Sequence, residues 1–253
     1  MTAKTEAFDY RESHTNHGRG TVYDGLYREG TALAFYWQHF EKPYLEQVFS
    51  ALRARHPKGR YLDFACGTGR ILQLGASYFA DAVGVDVSDE MLVKARHKVP
   101  GARIVKADVL KTRTDLGRFD VITLFRFLLR AGELREPVLR HLRGLIAEGG
   151  TLIVNNHRNA FSLRGMAYSL STKVQPNGFE DDLLTDGQIE ALLHRAGFAI
   201  VQRYSFGVIP SVKGQLLLPP SLVRGVERMC GGPLRAVAKN RIYICRPVPA
   251  SIR

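Results

Sequence analysis

Seven short apolar runs punctuate the chain: RYLDFA from residue 60, DAVGVDV from 81, ARIVKADV from 102, FDVITLF from 119, GTLIVNN from 150, FAIVQRYSF from 198 and RIYICRP from 241. Each has strand length, is rich in β-branched or aromatic residues, and most are bounded by Gly, Asp or Pro. The stretches between them carry a helical period. ILQLGASYF follows the first run. SDEMLVKARHKV has Ser88 placed as N-cap, with Met91, Leu92 and Ala95 on one face. ELREPVLRHLRGLIAEGG predicts a helix ending on Gly149, and TDGQIEALLHRAGF one ending on Gly197. Strand and helix alternate over most of the chain. That pattern predicts an α/β fold with right-handed crossovers and a doubly wound, mostly parallel seven-stranded sheet.

In such a sheet a ligand sits at the carboxyl ends of the strands, so the loop after the first run matters most. That loop reads D-F-A-C-G-T-G-R from Asp63. Gly67 and Gly69 let the backbone turn tightly and approach a ligand with no Cβ in the way, and the following helix points its free N–H groups back at the loop. A dinucleotide fingerprint would need a third glycine where Leu72 stands, and a P-loop would need Gly-Lys-Ser/Thr. Neither is present. The strand-end logic continues down the chain. Asp86 closes the second run, about 20 residues beyond the glycines, where a carboxylate can accept both hydroxyls of a ribose. Asp108 follows the third run, able to accept from an exocyclic amine, with the Val109 amide beside it for a ring nitrogen.

These elements, in this order, resemble the motifs of the class I S-adenosylmethionine-dependent methyltransferases. The resemblance covers roughly residues 61–206. LRHLRGLIAEGGTLIVNN is similar to the family's helix, Gly-Gly turn and fifth strand, and TDGQIEALLHRAGFAIV to its last helix and sixth strand. The family implies a Rossmann-like sheet whose seventh strand, supplied here by RIYICRP, is antiparallel and inserted beside the sixth. It also implies S-adenosyl-L-methionine as cofactor, with S-adenosyl-L-homocysteine (SAH) as product. Carried over by position, Asp63, Ala65, Gly67 and Gly69 would surround the methionyl part. Asp86 would take the ribose, Val87 and Met91 would flank the adenine, Asp108 and Val109 would meet its edge, and Leu124 and Phe125 would lie beside the sulfonium. Residues 1–58 resemble N-terminal lid helices, with Tyr23, Tyr27 or Arg28 as contacts to the cofactor carboxylate. Residues 59–253 would form the methyltransferase domain, with acceptor-recognition insertions near 157–184 and 207–240.

Composition narrows the class. At 253 residues and 45% hydrophobic, the chain can bury one sizeable α/β core. The N-terminal residues lack the apolar core of a signal peptide, and FDVITLFRFLL is too short for a membrane span and carries Arg126. Three cysteines, Cys66, Cys230 and Cys245, suggest neither a disulfide framework nor a zinc site. A cytoplasmic protein without a metal is the expectation. The net charge of +12 is local. Residues 200–253 hold nine Lys/Arg against one acid, whereas residues 1–60 and 61–199 each carry an excess of two. A basic surface can serve nucleic acid, an anionic membrane or an acidic substrate. The LFRFLL stretch after the fourth run lacks the Asn/Asp-Pro-Pro-aromatic and Pro-Cys signatures of nucleic-acid base methylation, and there is no appended RNA-binding module. These absences argue against a nucleic-acid partner.

Methyl transfer to oxygen needs in-line positioning, exclusion of water and, for a hydroxyl, a base. His157, after the fifth run, is the candidate base, with Asn155 and Asn156 as hydrogen-bonders to the acceptor and Arg126 as a contact for an anionic one. The expected acceptor is a small molecule, or a lipid- or glycan-linked one, O-methylated in a biosynthetic pathway. An RNA methyltransferase and a non-catalytic S-adenosylmethionine-binding protein are the alternatives. In 220–230, Leu222, Val223, Val226, Met229 and Cys230 fall on one helical face, with Arg224 and Arg228 elsewhere, which allows peripheral contact with an anionic lipid surface.

Overall fold

The computed structural model describes residues 23–249 apart from 113, 164 and 167–182, so part of the 157–184 insertion and residues 1–22 of the lid lie outside the described residues. The helices are α1 (Ala32–Tyr36), α2 (Lys42–Arg55, joined to α1 by a π-helical turn over Trp37–Glu41), α3 (Arg70–Ala76), α4 (Asp89–Lys98), α5 (Arg135–Leu145), α6 (Asp186–Arg195) and α7 (Pro220–Met229). The main strands are β1 (Arg60–Phe64), β2 (Asp81–Asp86), β3 (Arg103–Lys106), β4 (Phe119–Leu124), β5 (Ile146–Asn156), β6 (Phe198–Phe206) and β9 (Asn240–Pro247); β7 (Ser211–Val212) and β8 (Gln215–Leu216) form a small hairpin.

The seven main strands make one sheet in the order β3-β2-β1-β4-β5-β9-β6. Pairing is parallel from β3 through β5, and β9 runs antiparallel to both β5 and β6. This is the sheet expected from the sequence, with the inserted last strand in place. The chain reverses strand order on either side of β1 and β4. Their carboxyl ends therefore border the crevice in which such sheets bind ligands.

Alternation along the strands sorts the core onto two faces. Leu62, Ile122, Leu152, Val154 and Tyr243 pack with α5 and α6. Tyr61, Val121, Ile153, Ile242 and Ile244 pack with α1, α2, α3 and α4. Residues 42–55 are thus part of a helix layer rather than a detached lid: Leu45 and Phe49 are fully buried, Phe49 meets Tyr61 edge-on at 5.6 Å, and Tyr44 stacks on Tyr204 of β6 at 4.0 Å.

Two local expectations are corrected. The helix expected to run to Gly149 ends at Leu145, because Ile146 already pairs with Phe119 in the sheet. Gly149, at φ 71, turns the strand instead. In α7 the buried residues are Val223 and Glu227, with Cys230 at the cap, whereas Leu222 and Met229 stand 56% and 87% exposed. A buried carboxylate reorients this helix. Glu227 Oε2 accepts from the Gly207 amide (3.0 Å), and Oε1 accepts from the Ile209 amide (3.1 Å) and the Tyr36 hydroxyl (3.2 Å).

Candidate functional site

The glycine loop leaves β1 in left-handed backbone. Ala65, Gly67 and Gly69 have φ of 55, 54 and 82. Ala65 bears a side chain in a region that costs a non-glycine residue on the order of 1 kcal/mol or more. A Cβ added at Gly67 would project into open space, whereas one at Gly69 would press on Ala95 of α4 at 3.2 Å. Gly67 therefore has open space before it, and Gly69 permits close packing against α4.

Asp86, at the end of β2, holds this loop. Its Oδ2 accepts from the Gly67 amide at 2.9 Å and its Oδ1 from the Ser88 amide at 3.0 Å. A carboxylate has about four acceptor sites, and both oxygens of Asp86 take part in shaping the loop. Beyond it, Ala65, Asp86, Val87, Asp108, Val109 and Phe127 are among the residues that bound a cleft of about 490 Å³, its open mouth included. Asp108 Oδ1 accepts from the Leu110 amide at 3.2 Å, which fixes the loop after β3.

Asp63 is buried one strand over. The parallel register sets it beside Thr123 of β4. The Thr123 hydroxyl donates to Asp63 Oδ1 at 2.7 Å, and Oδ2 is buried with no hydrogen-bond partner. Burial pushes the Asp63 carboxyl up to about 7, against the Thr123 hydroxyl and the Leu72 amide, which favour the ionised form.

Residues 23–31 roof the loop. Thr68 donates to Asp24 Oδ1 at 2.8 Å, and Lys98 and Lys94 reach the same carboxylate at 3.5 and 3.6 Å. The guanidinium of Arg70, the first residue of α3, lies between the rings of Tyr27 and Trp37, 4.1 and 4.0 Å from their centroids. Arg126 approaches the Tyr27 ring at 5.2 Å. The Tyr27 hydroxyl and the Nε atoms of Arg70 and Arg126 are buried without hydrogen-bond partners. Burial holds the Tyr27 phenol far above its ordinary range, so it is neutral.

At the ends of β4 and β5, Arg126 takes a left-handed φ of 58, and its amide donates to Asn155 Oδ1 at 2.7 Å. Asn156 is likewise committed, its Nδ2 donating to the Leu184 carbonyl at 3.0 Å and its Oδ1 accepting from the Arg158 amide at 3.2 Å. Both asparagines position backbone, a use that their place in the sequence does not reveal. His157 is partly buried. Desolvation first, then the positive charges of Arg126, Arg158, Lys239 and Arg130, hold it well below its usual range and therefore neutral.

Residues 62–150 match a protein-family profile described as a methyltransferase domain. This stretch is similar to a methyltransferase domain, in line with the class I S-adenosylmethionine-dependent resemblance of its motifs. The chain is 33% identical over 111 residues to dTDP-3-amino-3,4,6-trideoxy-alpha-D-glucopyranose N,N-dimethyltransferase of Streptomyces venezuelae, which covers 42% of this chain and 46% of the relative. It is 33% identical over 113 residues to dTDP-4-amino-2,3,4,6-tetradeoxy-D-glucose N,N-dimethyltransferase of Saccharopolyspora spinosa, covering 43% and 45%. The chain spans about half the length of the relatives it matches in sequence. In fold it resembles magnesium protoporphyrin IX methyltransferase of Synechocystis PCC 6803, solved with bound SAH, with a TM-score of 0.63 and 16% identity over 93% of this chain and 96% of that one.

The residues of the methyltransferase domain fit the family's cofactor. A Cβ at Gly67 would meet open space, Asp63 carries an orphaned carboxylate oxygen, and Asp86, bonded to the Gly67 amide, lines the cleft. Ala65, Val87, Asp108 and Val109 continue it as cleft wall. Met91, Leu124 and Phe125 are buried and do not line this cleft. Tyr23 lies 5.7 Å from Tyr27, ring to ring, within the roof. Arg28 is not brought in: it is exposed, and its Nε donates to the Gly25 carbonyl of its own turn. Sequence reasoning missed Arg70 and Thr123. Each carried a signal, since Arg70 directly follows the last glycine of the loop and Thr123 is a hydroxyl inside an otherwise apolar central strand.

Proposed function

We propose that this chain is a cytoplasmic S-adenosylmethionine-dependent methyltransferase that methylates an oxygen of a small acceptor, free or linked to a lipid or glycan. The observation that carries the reading is the single cradle formed by Asp63, the glycine loop and Asp86, opening into the cleft before Asp108. In this reading Asp86 holds the ribose hydroxyls, Asp63 and the loop amides hold the amino-acid end, and Val87, Asp108 and Val109 receive the adenine. When bound, the cofactor supplies a methyl group already activated on a sulfonium. The protein's part is then to orient the acceptor and keep water out, which the Tyr27, Trp37 and Arg70 roof serves. A hydroxyl acceptor would have to give its proton to His157 at the strand ends, whose depressed basicity makes that step demanding. Two relatives named for amino-sugar N,N-dimethylation raise nitrogen as the target, but the cations about His157 disfavour an ammonium group there and support oxygen. Titration with SAH, followed by label transfer from methyl-labelled cofactor into a fractionated cell extract, tests the reading. Binding lost in Asp86→Ala together with label in small metabolites supports it, and no binding by the wild-type chain sinks it.

A second reading concerns the basic insertion at 207–240. Val212, Leu217, Leu218, Leu222, Met229 and Leu234 are all at least 39% exposed, beside Lys213, Arg224, Arg228 and Arg235. No helix among the described residues is long and apolar enough to cross a membrane. An apolar surface flanked by cations suits peripheral contact with anionic lipid. Flotation with anionic and neutral vesicles tests it, and equal association with both counts against it.

A further inference from the structure

We propose that the acceptor binds as an ionised carboxylate, its oxygens seated against the guanidinium of Arg126 at the carboxyl ends of β4 and β5. The inference rests on the methyl-transfer reading and adds the acceptor class to it.

Three observations converge on that spot. First, Arg126 is held in a conformation that a non-glycine residue adopts at a cost. Its φ is 58, and the buried Asn155 carbonyl oxygen fixes its amide at 2.7 Å. Strained backbone that the surroundings over-determine marks a side chain whose direction matters. Second, Arg126 Nε is buried with no hydrogen-bond partner, and the Tyr27 ring covers the guanidinium. A guanidinium presents its donors in a fork that matches the two oxygens of a carboxylate. Third, Arg126 is one of several cations that act on the same strand-end imidazole, His157. Arg158 follows His157 directly, and Lys239 is drawn in because its carbonyl accepts from the Asn159 amide at 2.9 Å. With Arg130 they act on His157 together with Arg126.

The chemistry agrees. An imidazole kept neutral by enclosure and neighbouring cations is a poor acceptor for the proton of an alcohol, and a carboxylate has none to give. One of its oxygen lone pairs forms the bond to the methyl carbon, and the pair from the broken carbon–sulfur bond stays on sulfur. Carboxylate and sulfonium become ester and thioether, with no proton to place. His157 then lines the acceptor end without serving as base.

The experiment uses the full chain, methyl-labelled S-adenosylmethionine and an aqueous metabolite extract, with Arg126→Gln and Arg126→Lys alongside. Mild alkali releases the label of a methyl ester as volatile methanol and leaves methyl ethers and methylamines intact. The expected result is alkali-labile label. KM for the acceptor fraction should rise on the order of 10- to 100-fold in Arg126→Gln, the loss of a charge-assisted pair, and less in Arg126→Lys. SAH titration of each variant shows whether it has folded and kept its cofactor site. Alkali-stable label overturns the carboxylate while leaving the methyltransferase reading intact. So does an acceptor KM unchanged in Arg126→Gln, or the absence of transfer by a protein that binds SAH. Failure of the wild-type chain to bind SAH overturns both.

Discussion

The Thr123 hydroxyl donates to Asp63 Oδ1 at 2.7 Å and lies 2.7 Å from the Tyr61 hydroxyl, which makes Tyr61 the donor to Thr123. This chain enters from one side of the carboxyl group, leaving Oδ2 buried and unpaired. The native carboxyl, pushed up to about 7 by burial, holds its proton far more tightly than the unfolded chain does. A raised folded pKa gives stability that is fully present below about 4 and lost as pH rises through about 7. Without ligand, lowering the pH from about 8 to about 5.5 should therefore raise the contribution of this group to stability by about 2 kcal/mol. Asp63→Asn should flatten that part of the curve and weaken SAH binding. Melting curves across pH for both proteins decide it, and parallel profiles would remove Asp63 as the titrating group.

Asp86 has two duties that mutation can separate. Removing its carboxylate strands the Gly67 and Ser88 amides, so Asp86→Ala should cost about 1–3 kcal/mol in chemical denaturation. If it also accepts the ribose hydroxyls, SAH affinity should fall by roughly 100-fold or more in calorimetry, because two further bonds to a charged acceptor are lost. A variant that loses stability but binds SAH as before would confine Asp86 to holding the loop.

What was legible in the chain follows from what each residue answers to. The sheet could be read because its central strands are buried on both faces and appear as unbroken apolar runs. Asp86 and the glycines could be read because strand ends and left-handed backbone restrict residue type. Arg126 was visible as a charge after an apolar strand, but its strained φ was not, since a non-glycine residue gives no sign of it. The pairing of Asp63 with Thr123 depends on register between strands about 60 residues apart, which local pattern does not encode. The face of α7 was misjudged for a related reason. Hydrophobicity set Leu222, Val223, Val226, Met229 and Cys230 on one face, whereas three donors from distant segments draw in Glu227 and leave Leu222 and Met229 exposed.

His157 provides a pH test. Its depressed folded pKa means that the unfolded chain takes up a proton first as the solution is acidified. This site therefore removes stability as pH falls below about 6.5 and on through the folded value. Catalysis should show no inflection near 6.5. With a carboxylate acceptor, His157→Asn should change kcat by only a few-fold; a loss on the order of 100-fold with a displaced pH profile would instead make His157 a general base. Initial rates across pH for both proteins separate the two.

Glu227 ties three segments that are distant in sequence: α7, the turn after β6 and the Tyr36 hydroxyl of α1, which also donates to the Ile209 carbonyl at 2.8 Å. Through α1 it fixes the entry to the roof, where Ala32 also binds the Gly214 carbonyl at 2.8 Å. Glu227→Ala would leave the Gly207 and Ile209 amides without their acceptor, and should cost about 2–4 kcal/mol. Tyr36→Phe removes a single donor and should cost about 1 kcal/mol. Glu227 does not touch the cradle, so its loss should reach SAH affinity only through the roof, as a faster off-rate with little change in on-rate. Stopped-flow binding beside denaturant melts checks both parts. A stability loss with unchanged off-rate would show that α7 braces the sheet without governing the roof.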